Sequence, residues 1–390
     1  MLCHSLRIAI ALATLTLLAQ APCLAQNAPD PTTSDKPAVE ESSISEPRYH
    51  YDDWFPHRFP PLDQDIDPPP PSYAAQFWEL ISEVPSHHSG YGQPTGFGFN
   101  SPAVPTVGYH VTWFPDANVA NQNATLNAVR QDFHVGIPVW TDERQMIGLT
   151  TSVRSVLYNT NAMLPGITQP FPEDLWDVRF GANYRYLFLN GWSAGGTVTF
   201  GSASDRPFAS VNELTAGVSA FLRIPVGEHN AWLFSLMYSP TGELNFPFPG
   251  VAFYWQPSDW FNATIGVPFH VMWRPVQDVT LEASYMPLTN VTGKASWHVW
   301  GGISLYAAYN SGNESYFIYG SPNSQDRLFY YDQRVTGGVK LQIGRQCAVD
   351  LSSGYAFNRY FFEGQTSSDR NNRIDVADSP FLSLSVELRY

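Results

Sequence analysis

From residue 106 onward the chain alternates apolar and polar positions with a period of two, in runs of about ten residues that end at turn signals. In LWDVRFGANYRYLFL, Trp176, Val178, Phe180, Ala182, Tyr184 and Tyr186 fall on one face of an extended strand. Asp177, Arg179, Gly181, Asn183 and Arg185 fall on the other. YDQRVTGGVKLQIG sets Val335, Gly337, Val339, Leu341 and Ile343 against Asp332, Arg334, Thr336, Lys340 and Gln342. DVTLEASY sets Val279, Leu281, Ala283 and Tyr285 against Asp278, Thr280, Glu282 and Ser284, and RQDFHVGIPV sets Phe133, Val135, Ile137 and Val139 against Asp132, His134 and Gly136. The pattern predicts strands at roughly 106–114, 128–139, 146–158, 175–189, 192–202, 212–224, 230–240, 250–256, 261–273, 278–286, 295–309, 327–343, 347–361 and 380–390.

Alternation by itself also fits a sandwich of two sheets with water on the outer faces. Three features favour a bilayer instead. Only 14% of residues are charged, where about 25% is usual, and lysine occurs only at Lys36, Lys294 and Lys340. Aromatic residues gather near strand ends, at Trp140, Trp176, Trp192, Trp232, Trp255, Trp260, Trp273, Trp297, Trp300 and Tyr390, as interfacial girdles do. Short connections such as TDERQ, Asn190-Gly191, PVGEHN, PSD and GRQ alternate with long ones, among them PDANVANQNATLN, NTNAMLPGITQPFPED and the stretches 310–326 and 362–379. The expectation is an all-β fold: a transmembrane antiparallel β-barrel of about 14 strands over 106–390, with 12 or 16 the alternatives if a hairpin is split or merged around RPVQD (Arg274 to Asp278).

The amino-terminal quarter reads differently. Arg7, the apolar run Ile8 to Leu18 and the small residues at Cys23 and Ala25 predict a signal peptide over 1–25, cleaved near Ala25. Cleavage leaves Cys347 as the sole cysteine, so no intramolecular disulfide is expected and a bacterial envelope is favoured. Residues 26–73 form an acidic, proline-rich lead without period, ending near Pro68-Pro69-Pro70-Pro71 and predicted to be a disordered linker. Residues 74–105 are expected to form a periplasmic or plug segment, with a short helix near Phe77 to Ile81. Much of the net charge of −14 sits in the lead, and no basic face for nucleic acid exists.

The chain ends on FLSLSVELRY, with Leu382, Leu384, Val386 and Leu388 alternating with Ser383, Ser385, Glu387 and Arg389. Lipid offers no hydrogen bonds, so an open sheet edge there is costly and this strand is expected to pair with the first and close the ring. Leu384, Val386, Leu388 and Tyr390 resemble, residue by residue, the terminal signal that the bacterial barrel-assembly machinery recognises in its substrates. With FPFPGVAFYWQPSDWFNATIGVPF, DVTLEASY and its long lead, the whole chain is similar to a family of uncharacterised bacterial outer-membrane β-barrels. That resemblance implies the fold and an outer-membrane location, with lipid and the assembly machinery as partners, and no activity.

Candidate chemistry is sparse. His87-His88-Ser89 matches the His-x-Ser of barrel acyl hydrolases, in which histidine activates the serine hydroxyl. It precedes the first strand and lacks an orienting partner, so a polar loop is the stronger reading. His134 and His298 lie on strands without a suitable serine and read as a lumen and an interfacial residue. Asp369, Asp375 and Asp378 with Asn371 and Asn372 offer oxygens, but their spacing does not match a Ca²⁺ loop. No cofactor is expected. Arg130, Asp132, Arg179, Arg185, Glu282, Asp332, Arg334, Lys340, Asp350, Glu387 and Arg389 are expected to face the lumen, where they either tune solute selectivity or brace the wall by pairing. The leading expectation is a passive channel or transporter for small solutes. The alternatives are an envelope structural or attachment protein whose lead binds a periplasmic partner, and a lipid acyl hydrolase.

Overall fold

The structure is a computed structural model that describes residues 104–164, 170–239, 246–286, 290–321, 323, 325–367 and 369–390. The signal segment, the lead, the bulk of 74–105 and the His87–Ser89 motif lie outside the described residues.

Strands β1 to β5 span Thr106–Val119, Ala124–Thr141, Gln145–Thr160, Asp174–Leu187 and Ser193–Ser204. A 3₁₀ turn at Val211–Glu213 leads into β6 (Leu214–Val226), β7 (Asn230–Tyr238), β8 (Phe248–Ser258), β9 (Phe261–Gly266), β10 (Phe269–Val276), β11 (Val279–Met286) and β12 (Asn290–Trp300). Then follow β13 (Ile303–Phe317), β14 (Arg327–Ile343), β15 (Cys347–Gly364), β16 (Asn371–Val376) and β17 (Ser379–Arg389). From β1 to β15 each strand pairs antiparallel with the next in sequence. β16 and β17 both pair with β15 on one side and β1 on the other, so they are two halves of one stave interrupted at Ala377 and Asp378. β17 closes the ring on β1, from Thr106 opposite Arg389 to Trp113 opposite Leu382. The barrel therefore has sixteen staves, each paired with a stave on either side, as hydrocarbon demands.

The count of 14 is corrected by two merged hairpins. The expected strand 261–273 is β9 and β10, joined by Val267 and Pro268. The expected strand 295–309 is β12 and β13, joined by Gly301 and Gly302. Val267 and Pro268 are apolar, so the turn carries no polar break in the alternation. The bend lies instead in the backbone of Gly266, whose φ of 141° is a conformation side chains rarely adopt. A Cβ there would also press on the carbonyl oxygen of Val251. Replacing Gly266 by alanine is expected to cost on the order of 1–3 kcal/mol, read as a lowered unfolding midpoint in detergent.

Several stretches expected as outer loops are strand. β1 and β2 meet through Ala120 to Asn123, β13 runs on to Phe317, and β15 and β16 take up half of 362–379. Their polar residues mimic loop composition because they face inward or stand above the apolar belt. The wall is consequently uneven. β1 to β5 and β13 to β15 hold 12–18 residues, whereas β9 to β11 hold 6, 8 and 8.

Outward positions carry a belt of exposed apolar side chains, including Ile137, Leu149, Phe180, Val198, Leu236, Val251, Ile265, Val335, Leu351 and Leu384. Trp140, Trp192, Trp232, Trp255, Trp260, Trp273, Trp297 and Trp300 are all exposed and lie at or near the end of the short turns. Trp176 instead stands near the start of β4, at the loop end, and is half-buried. A surface this apolar, on a ring with no free edge, is built for lipid. Among the described residues no helix is long and apolar enough to cross a membrane; this barrel crosses with strands.

Candidate functional site

The interior has two levels, set by which inward positions are filled. At the loop end, inward side chains of the tall strands meet Leu164 and Phe171 of the β3–β4 connection in an apolar cluster. It includes Phe114, Leu126, Val156, Tyr158, Leu164, Phe171, Leu175, Tyr316, Leu328, Phe361 and Phe381, each no more than 9% exposed. Tyr158, Phe171 and Phe361 pack edge to face, with centroids 4.9–5.9 Å apart.

A network of paired charges lies against this cluster. Arg130 on β2 reaches Glu314 on β13 and lies 3.1 Å from Asp132. Arg154 on β3 bonds Asp132 and lies 3.3 Å from Glu314 and 3.8 Å from Asp177. Asp177 on β4 takes Arg179 at 2.7 Å. The Tyr316 hydroxyl donates to Glu314 at 3.0 Å. Three guanidiniums thus meet three carboxylates, and burial of such charges is tolerable only because each is paired. A second group joins Arg334 to Asp332 at 2.9 Å, with the Tyr330 hydroxyl donating to Asp332 at 2.7 Å. Arg334 and Arg359 lie 4.9 and 5.1 Å from the centroid of the Phe114 ring.

The crossing from β2 to β13 is possible because β13 outruns β12. Asn290, the first residue of β12, pairs with Gly312, so the last five residues of β13 have no β12 beside them. Phe317 makes a parallel bridge with Ser204 at the tip of β5. The backbone N–H of Asp205 donates to the Phe317 carbonyl at 3.3 Å, and that of Tyr319 donates to Asp205 Oδ1 at 2.7 Å. At this height β1 to β5 and β13 to β17 close on themselves over the filled interior, and β6 to β12 are left out.

Towards the turn end the inward face is polar and half-buried. Glu282 pairs across strands with Lys294, and Lys340 with Asp350. Tyr306 donates its hydroxyl to Asp350 at 2.7 Å, while the Lys294 ammonium lies 4.3 Å from the Tyr306 ring centroid. Arg185 is buried, 5.9 Å from the Phe221 centroid. Glu387 accepts from Arg389 at 2.9 Å, at the turn end. Both lysines of the described residues thus belong to this lower lumen.

The structure brings Arg130, Asp132 and Arg179 into the first network, Asp332 and Arg334 into the second, and Lys340 and Asp350 into the lower lumen beside Glu282. Sequence reasoning missed Arg154, Asp177, Glu314, Arg359 and Lys294 as site residues. Glu314 falls in a stretch read as a loop, although Ala308, Asn310, Gly312, Glu314 and Tyr316 continue the alternation and were the available signal. His134 lies against Gly108, and His298 Nδ1 sits 3.5 Å from Ser304 Oγ.

The acidic outer residues are used structurally. Asp369 accepts the N–H groups of Gln365 and Thr366 at 2.9 and 2.8 Å, which hold its carboxyl below the usual carboxylate range. Asp375 takes Arg373, and Asp378 accepts from the N–H of Asn358 at 3.2 Å. No metal-binding cluster of His, Cys, Asp or Glu occurs among the described residues.

No family model matches the chain, and no curated protein does. Among solved structures it is similar to an outer-membrane channel of Pseudomonas putida F1, at 12% identity over 74% of this chain and 96% of that one, with a TM-score of 0.35. It is similar to the P. putida toluene transporter TodX at 10% identity, over 77% and 93% of the two chains, with a TM-score of 0.32. The transport unit of the Escherichia coli autotransporter AIDA-I matches at 10% identity, over 82% and 97%, with a TM-score of 0.30. Identities and TM-scores this low leave the chain's function to its own geometry.

Proposed function

We propose that the chain is a bacterial outer-membrane barrel acting as a passive channel or transporter for small solutes, with its short turns in the periplasm. The observation that carries this reading is the lower lumen. Glu282, Lys294, Tyr306, Lys340 and Asp350 face inward yet keep partial exposure, as groups lining a wetted path do. Both signs of charge there set a transverse field that sorts solutes. The exposed apolar belt and the tryptophan rim support a bilayer setting, and Leu384, Val386, Leu388 and Tyr390 are the residues the assembly machinery would read.

Purified protein in planar bilayers is expected to give discrete conductance steps; a silent membrane at saturating insertion sinks the proposal. Exchanging both Lys294 and Lys340 for glutamate is expected to shift the reversal potential in a salt gradient toward cation preference, because the lower lumen then loses its only ammonium groups among the described residues.

A further inference from the structure

The two charge groups at the loop end do not carry equal numbers of each sign. The first sets Arg130, Arg154 and Arg179 against Asp132, Asp177 and Glu314. The second holds two guanidiniums and one carboxylate. Arg334 answers Asp332, whereas Arg359 donates from Nε to the Tyr330 hydroxyl at 3.3 Å and from Nη1 to the Ala377 carbonyl at 3.2 Å, both neutral acceptors. No carboxylate among the described residues lies within ion-pair distance of Arg359, which is only 2% exposed. A buried ammonium can shed its proton, but a guanidinium cannot. The surplus positive charge is therefore permanent, and it stands where burial makes an unanswered charge costly.

A cavity of about 10 Å³ lies where the two groups face each other. Arg130, Arg334, Arg359, Glu314, Tyr158 and Tyr330 line it, with apolar side chains between them. Glu314 is the one carboxylate on this wall, and it is already answered by Arg130, Arg154 and the Tyr316 hydroxyl. Tyr158 is 9% exposed, and its hydroxyl has no hydrogen-bond partner among the described residues. A space of this order takes one water or one ion of similar size. Water would satisfy the donors and leave the surplus charge as it is. A monatomic anion does both.

We propose that this cavity is a binding site for a single small monovalent anion of the halide class, held between Arg334, Arg359 and the Tyr158 hydroxyl. The ion completes the charge of the second group and ties β3 to β14 and β15 through the interior. Occupancy does not depend on conduction through the barrel.

The test unfolds the full chain in detergent with urea, at one ionic strength, in sodium chloride, sodium bromide or sodium gluconate. Equal ionic strength holds screening constant, and gluconate is too large for the cavity. The midpoint is expected to be higher in either halide than in gluconate. Each tenfold rise in chloride above the dissociation constant is expected to raise the folded-to-unfolded ratio about tenfold. Tyr158→Phe keeps the ring that packs on Phe171 and Phe361 and removes the donor, so the same gain is expected to need more chloride. Arg359→Met removes the surplus charge and is expected to unfold alike in chloride and gluconate. Crystals soaked in bromide are expected to show an anomalous peak beside Arg359 and Tyr158, which decides the matter with Tyr158→Phe even where Arg359→Met fails to fold. Equal wild-type midpoints in chloride and gluconate overturn the site. So does a halide gain that Tyr158→Phe keeps in full, or a bromide soak without a peak in the cavity.

Discussion

Replacing Glu314 by alanine is expected to lower stability by about 3–5 kcal/mol, the cost of leaving buried charge without its partner. Glu314 is 4% exposed at its side chain and answers Arg130 and Arg154, which are 2% and 14% exposed. With the carboxylate gone, Asp132 and Asp177 remain for three guanidiniums, and the overhang of β13 loses its tie to β2 and β3. Glu314→Gln keeps the size and an acceptor for the Tyr316 hydroxyl, so a smaller loss is expected. Heat-dependent gel mobility and chemical unfolding in detergent measure both variants. An alanine variant that unfolds with the wild type would show that the bridge across the barrel is held by the Phe317–Ser204 pairing and the apolar cluster alone.

The second large effect is expected at Val386. It faces outward on the closing strand, opposite Tyr109 of β1 and Val349 of β15. Lysine on the lipid face costs about 2–4 kcal/mol at the bilayer midplane and less near an interface, and here it also burdens the seam that closes the ring. Val386→Lys is expected to give little folded barrel in membranes and to leave the chain heat-insensitive on gels. Ser385→Lys is the control. Ser385 points inward, opposite His110 and Asp350, so the ammonium gains a carboxylate partner. Equal assembly of the two variants would contradict the facing.

How much of this was legible depends on the range over which the information acts. Period-two alternation is a property of neighbouring residues, since successive side chains of a strand must point to opposite faces. It therefore gave the strand class, the side on which each residue stands, and the pairing of the terminal strand as a requirement of closure. It fails where a turn carries no polar signal. Val267-Pro268 left two strands looking like one, and Gly301-Gly302 did the same within a longer run.

Arg130 and Glu314 show the other limit. They are 184 positions apart, on strands that are not neighbours in the ring, and nothing local says that the tip of β13 leaves the wall to meet β5. That meeting depends on β12 ending early, on the Asp205 contacts, and on the apolar side chains that fill the space between. The alternation of this sequence by itself determined a closed, lipid-facing β-barrel with a two-signed polar interior. The tertiary structure alone decided sixteen staves, one tall plugged half and one low wall, because unequal strand lengths and contacts across a lumen arise from long-range closure and packing, to which a two-residue period is blind.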